Sequence, residues 1–114
     1  QMQFTAQQTH YGSRYPNAVH CLILKDGRPV GRVYVSREEE VIRILDITVL
    51  PAERSAGIGT TVLEEIMDDG RATGRPVQIY VENYNPSLKL FERLGFSRIE
   101  DTGMHYLMEL RPSP

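Results

Sequence analysis

Residues 41–72 read VIRILDITVLP, AERSAGIGTT, VLEEIMDDGRA, and the rest of the chain is arranged around them. Val41 to Leu50 is a mostly apolar run that stops at Pro51, which predicts a strand. A glycine-bearing loop follows and opens directly into a helix. Ile58, Val62, Leu63, Ile66 and Met67 share one face of that helix, and Glu64, Glu65, Asp68 and Asp69 face away. Gly70 and Gly74 are expected to close it. A strand, loop and helix in this order leave the first helical N–H groups pointing at whatever lies in front of them. The positive end of the helix dipole adds to the attraction for an anion.

The loop is Arg54-Ser55-Ala56-Gly57-Ile58-Gly59-Thr60. Gly57 and Gly59 remove side chains where a phosphate would approach the backbone, and Arg54 adds a positive charge at the mouth. Glycines used only to make the turn account for the spacing equally well. A dinucleotide fingerprint would need a third glycine where Val62 stands, and no Gly-Lys-Ser/Thr of a P-loop follows.

A second motif lies downstream: Asn85-Pro86-Ser87-Leu88-Lys89-Leu90-Phe91-Glu92-Arg93-Leu94-Gly95-Phe96. Arg54-x-x-Gly57-x-Gly59 between a strand and a helix resembles the acetyl-CoA signature of the GNAT superfamily of N-acetyltransferases. The downstream run is similar to that family's other motif, an Asn, a short helix and then Leu-Gly-Phe. The two occur in the right order, and the resemblance covers roughly Ala18 to Leu110.

Composition narrows the classes. A chain of 114 residues with 40% hydrophobic content makes one domain with a core, so residues 1–114 are read as a single domain. A net charge of −2 argues against a general nucleic-acid binder. No apolar run is long enough to span a membrane, and no leader is visible at the start. Cys21 is the single cysteine and is expected to be a buried thiol. His10, His20 and His105 are scattered without metal-ligand spacing, so no metal is expected. These features fit a reducing cytoplasm.

Taken in order, Gln1 to Tyr15 is polar with interspersed aromatics, and Phe4, Gln8 and Tyr11 could share one face of a short helix stopped at Tyr15-Pro16-Asn17. Val19–Leu24 and Val30–Ser36 are strands joined at Asp26-Gly27, and Arg37 to Glu40 is a charged turn into the Val41–Leu50 strand. Val77–Val81 is a short strand, parallel to Val41–Leu50 through a right-handed crossover. Pro86 to Leu94 is a second helix capped by Gly95; Ser97–Asp101 and Met104–Leu110 form a final hairpin. The expected fold is α/β (α+β): a mixed, mostly antiparallel sheet with helices on both faces and one central β-α-β coenzyme-binding unit. The resemblance implies that the chain starts inside the family's second helix, short of a first strand and helix. Gln1 in place of an initiator Met suggests a piece of a longer chain.

The resemblance also implies a chemistry. The coenzyme pyrophosphate would lie on the amides of Arg54, Ser55, Ala56, Gly57, Ile58, Gly59 and Thr60, and its pantetheine arm would add to the end of the central strand at Ile47, Thr48 and Val49. Backbone N–H groups there would polarise the thioester carbonyl. Asn85 would bond the coenzyme from the other side, or cap the helix ahead of Pro86, or both. The family commonly has Tyr where this chain has Phe91, which has no hydroxyl to protonate the leaving thiolate. Asp46 is a candidate base, or a carboxylate paired with Arg43 or His20. Glu82 is the second candidate, with Tyr106 and His105 further behind. The expected activity is acetyl transfer from acetyl-CoA to a primary amine, small or peptidic, by direct attack in a ternary complex. The rival is an acyl-CoA-binding module without turnover. A homodimer would supply a short chain with a missing wall.

Overall fold

The computed structural model describes residues 2–8 and 17–112, without the side chains of residues 2–8 and 54–56. The described residues form strands β1 (Met2–Gln8), β2 (Ala18–Lys25), β3 (Arg28–Arg37) and β4 (Ile42–Val49), helix α1 (Ile58–Thr73), β5 (Val77–Glu82), helix α2 (Leu88–Leu94), β6 (Ser97–Asp101) and β7 (His105–Leu110). The strands make one sheet in the order β1-β2-β3-β4-β5-β7-β6. Among adjacent described strands only β4 and β5 pair in parallel. The mixed, mostly antiparallel sheet expected from sequence is therefore present.

Local chemistry explains most boundaries. Asp26 (φ 52°) and Gly27 (φ 79°) both adopt positive φ, the two-residue turn that suits the twist of the β2–β3 hairpin. Helix α1 runs through Gly70 and ends at Gly74, so only the second of the two expected stops operates. A Cβ on Gly70 would lie 2.8 Å from the Arg75 carbonyl oxygen, so this glycine lets the chain fold back tightly into β5. α2 starts two residues later than expected, at Leu88.

The short helix expected over Phe4, Gln8 and Tyr11 is not formed. Residues 2–8 are a strand paired with β2, from Met2 opposite Lys25 to Gln8 opposite Val19. MQFTAQQ alternates apolar and polar residues through Met2, Phe4 and Ala6, and an edge strand needs no more than that. His10, Tyr11, Tyr15 and the stop at Pro16 lie outside the described residues.

The helices do not divide between the two faces. β4-α1-β5 and β5-α2-β6 each join parallel strands and move the same way across the sheet. Right-handed crossovers in one direction place both helices on one side. One core cluster confirms this: Ile58, Val62 and Met67 of α1 and Leu88 and Phe91 of α2 join Val33, Val35, Ile44, Ile79 and Met108 of the strands. The register puts those strand residues on a common face.

The opposite face is polar and organised across strands. Arg43 stands beside Gln78, and Gln78 beside Glu109. The Arg43 Nη1 donates to Gln78 Oε1 at 3.0 Å, and Gln78 Nε2 donates to Glu109 Oε2 at 2.7 Å. Arg111 Nε closes the run on Glu109 Oε1 at 2.9 Å. The Glu109 side chain is only 8% exposed. Burial alone would push its carboxyl pKa up, yet the bonds from Gln78 and Arg111 hold it below the usual carboxylate range. The Arg111 pair adds little because Arg111 is 82% exposed.

Gln78→Leu should therefore cost about 1–3 kcal/mol of stability at pH 7, because it leaves a buried carboxylate short of a donor. Glu109 has a depressed folded ionisation, so its contribution is complete above the unfolded value of about 4.3 and fades as pH falls through the folded value. Urea denaturation at pH 7 and pH 3 should show the gap between wild type and variant closing in acid; a gap that stays constant would show that Gln78 acts through packing alone.

Candidate active site

The site grows from a parting of two strands. β4 and β5 pair only through Ile42–Val77, Arg43–Gln78 and Ile44–Ile79. β4 then continues to Val49 and β5 to Glu82 with no pairing between them. A bulge marks the parting. Tyr34 pairs with Asp46 and Val35 with Ile44, which leaves Leu45 as an extra residue on β4. Such bulges bend a strand and increase its twist. A cleft of about 860 Å³ opens in the gap.

The cleft passes from the helical side of the sheet to the polar side. Gly59 and Leu63 of α1 and Leu90 and Phe91 of α2 line it on the helical side. Ile47, Val49, Ile79 and Val81 line the split itself. Asp46, Thr48, Tyr80, Glu82 and His105 line the opposite mouth, with Asn85 and Ser87 beside it. Asp46 lies across from Tyr34, and Glu82 across from His105, so the carboxylates stand on the face away from the helices.

Between β4 and α1 the chain makes a 3-10 turn, Pro51–Ala56, which holds Arg54, Ser55 and Ala56. Gly57 follows at φ 76°, a conformation that glycine adopts without strain. No side chain caps the start of α1, and the first helical amide to bond back is that of Thr61, to the Gly57 carbonyl at 3.0 Å. The amides of Ile58, Gly59 and Thr60 thus have no partner within the helix itself. Gly59 differs from Gly57. It has no positive φ, and a Cβ there would meet nothing within 4 Å. Neither backbone nor packing requires a glycine at 59, and the position faces the cleft.

Asn85 is committed locally. Its Oδ1 accepts from the Ser87 N–H at 2.9 Å and its Nδ2 lies 3.5 Å from Glu82 Oε1. Phe91 is 3% exposed and meets Phe96 edge to face with ring centres 5.4 Å apart, so it closes the cleft floor as core. Asp46 is paired with neither Arg43 nor His20. Arg32 Nε lies 3.5 Å from Asp46 Oδ2, and Thr48 Oγ1 donates to the same oxygen at 3.4 Å. The bulge sets Asp46 and Thr48 together beside β3, while Arg43 turns to Glu38 and Gln78. Glu82 is held below the usual carboxylate range by its own backbone N–H, then by Asn85, with His105 adding a smaller pull.

The other titratable groups stand apart. Tyr106 packs against the core with Arg98 over its ring at 4.4 Å and does not line the cleft. His20 stacks on Tyr34 at 4.3 Å. Cys21 is half-buried, and burial pushes its thiol up, which makes it a poor nucleophile. Sequence reading missed Tyr80 at the mouth, although the alternation of VQIYVE puts it on the face of Glu82.

Comparison with known proteins agrees with this geometry. The model of the acetyltransferase (GNAT) family matches residues 2–96. No curated protein sequence matches the chain. Among solved structures, a ribosomal-protein alanine N-acetyltransferase from Escherichia coli is 16% identical with a TM-score of 0.80, over 100% of this chain and 96% of that one. A GNAT acetyltransferase from Elizabethkingia anophelis with acetyl-CoA bound is 13% identical with a TM-score of 0.76, over 96% of this chain and 97% of that one. PaiA N-acetyltransferase from Thermoplasma acidophilum, in complex with coenzyme A, is 18% identical with a TM-score of 0.74 over 83% of this chain. The match covers 61% of PaiA, less than two thirds of its length. At these identities the likeness is one of fold.

The two loop glycines should respond differently to alanine. Gly57→Ala forces a left-handed residue and should cost about 1–2 kcal/mol. Gly59→Ala should be neutral or stabilising by up to about 1 kcal/mol, as for glycine replaced in a helix. Chemical denaturation of both variants measures this directly, and equal losses would mean that packing governs position 59 after all.

Proposed function

The chain belongs to the GNAT acetyltransferase family, and we propose that it transfers acetyl from acetyl-CoA to a primary amine by direct attack within a ternary complex. The observation that carries this reading is the parting of β4 from β5 directly beside the uncapped start of α1. The first amides of α1, those of Ile58, Gly59 and Thr60, are the donors for the pyrophosphate, with the turn Arg54–Ala56 and Gly57 setting their direction. The missing side chain at Gly59 leaves room for that approach. The segment Ile47–Thr48–Val49 lies along the apolar slot, where an extended pantetheine arm would run as a strand in place of β5. Two structural relatives hold coenzyme A or acetyl-CoA, which favours this use of the slot.

The acceptor then enters from the polar mouth. Asp46 and Glu82 make that mouth acidic, which suits a cationic amine. Either carboxylate could also receive the proton that an ammonium must lose before it attacks. Phe91 walls the helical side of the cleft and contributes no acid, while Asn85 stands beside the polar mouth. A coenzyme thiolate needs none, because thiols ionise near ~8.5 and solvent can return the proton. The acceptor is a small amine or a peptide amine, and the E. coli relative named for a ribosomal-protein alanine makes the peptide class worth including in any panel. Acyl-CoA binding without turnover is the second reading, favoured by Phe91 in the place where a tyrosine is common.

Calorimetric titration with acetyl-CoA tests the coenzyme site. Wild type should bind in the micromolar range. Gly59→Glu sets a carboxylate against the pyrophosphate and should weaken binding by about 3 kcal/mol, roughly 100-fold, with the fold unchanged by circular dichroism. Equal affinity for wild type and variant would remove the α1 terminus from the site. Thiol release with an amine panel separates an acetyltransferase from a binding module.

A further inference from the structure

We propose that His105 is the group that takes the acceptor's proton and that Glu82 is its positioning residue. This inference rests on the acetyltransferase reading above. His105 is the first residue of β7, pairs across the sheet with Glu82 at the end of β5, and lines the polar mouth of the cleft with it. Directly opposed residues in an antiparallel pair hold their Cβ atoms about 4.5–5.5 Å apart, within reach for two side chains of this size.

The backbone around His105 is tied down on both sides. Its N–H donates to Thr102 Oγ1 at 3.1 Å, and its carbonyl accepts from the Thr102 N–H at 2.9 Å. On the neighbouring segment Asn83 N–H donates to the Met104 carbonyl at 3.0 Å, and Asn83 Nδ2 donates to the Gly103 carbonyl at 3.0 Å. Glu82 is fixed in turn. Asn85 Nδ2 lies 3.5 Å from its carboxylate, and Asn85 is itself held by the Ser87 N–H. Ser87, Asn85 and Glu82 are thus joined by hydrogen bonds along one wall of the mouth, and His105 stands opposite Glu82 across the strand pair. An imidazole turned toward Glu82 would be a base oriented by a carboxylate, itself held by an amide, which is what a proton-transfer site requires.

Chemistry chooses the imidazole over the carboxylates. A carboxylate held low by hydrogen bonds is a weak base, and Glu82 is in that state. Asp46 already shares an ion pair with Arg32. Among side chains, imidazole is the one whose ordinary ionisation falls near neutral pH. The titratable groups that share the mouth with His105 are Glu82 and Tyr80 on β5 and Asp46 on β4, while the cleft residues of α2 and its entry turn carry no charge. The imidazole nitrogen takes one proton from the acceptor ammonium. The freed lone pair forms the C–N bond at the thioester carbon, and the C–S bond breaks with its electrons leaving on sulfur. The second proton shed by nitrogen ends on that thiolate through solvent.

The test is the pH profile of kcat/KM for thiol release. It is run with acetyl-CoA and two acceptors of different basicity, spermidine and a short peptide with a free α-amino group. The acid limb should sit at the same pH for both amines. His105→Gln should remove that limb and lower kcat about 10²–10⁴-fold while acetyl-CoA binding persists. Glu82→Gln should keep the limb and lower kcat with KM for acetyl-CoA unchanged, the split expected when a base loses its orientation and the fold does not. A limb that follows the acceptor, survives His105→Gln, or vanishes in Asp46→Asn would overturn the assignment to His105. Coenzyme binding with no turnover of either amine would overturn the acetyltransferase reading, and the base with it.

Discussion

Three residue pairs hold β4 to β5, and the cleft between them depends on there being no fourth. A strand that loses its neighbour leaves backbone donors and acceptors on that edge to water or to a ligand, because orphaned groups are costly to bury. The bulge at Leu45 makes the loss local. Upstream of it Ile42 and Ile44 are buried core; downstream Ile47 and Val49 line a cleft. One extra residue thus converts the end of a central strand into a cleft wall that β5 does not pair with, without disturbing the half that carries the packing.

The packing half is robust for a separate reason. Ile42, Val62, Val77 and Met108 are fully or nearly fully buried and come from four different elements. Apolar area removed from water is worth roughly 25 cal/mol per Å², so a cluster of this kind can tolerate an open edge beside it. Gly70 tightens the same corner by letting the chain turn back from α1 into β5 against Arg75 and Val77. The strand pair is therefore firmest at the end where α1 delivers the chain and open at the end where α1 begins.

Much of this was readable from residues alone. The strand, glycine loop and helix of residues 41–72 came through, the strand shorter by one residue at each end and the helix begun four residues earlier, at Ile58, because periodicity and glycine placement are local properties. Asp26-Gly27 specified its own hairpin for the same reason. Other features depend on register, which no single stretch carries. The partner of Asp46 is Arg32 because of the bulge, and Arg43 is drawn instead to Glu38 and Gln78. Strand β1 was overlooked because its alternation is weak and its two glutamines at the end favour no element. His105 and Glu82 are more than twenty positions apart, and only the antiparallel pairing of β5 with β7 makes them neighbours.

The placement of both helices on one face follows from topology, and it divides the labour of the cleft. Two right-handed crossovers in the same direction put α1 and α2 together. The N-terminus of α1 and the apolar walls of Leu63, Leu90 and Phe91 then belong to one side of the sheet. The side without described helices keeps Asp46, Glu82 and His105 on its strands. An anion and its long arm are favoured on the first side, and a cation on the second. The gap between β4 and β5 is where the two sides communicate, so two ligands of opposite charge can meet in the plane of the sheet without sharing a surface. Had α2 crossed to the other face, it would have covered the acidic mouth and left the apolar slot open to water.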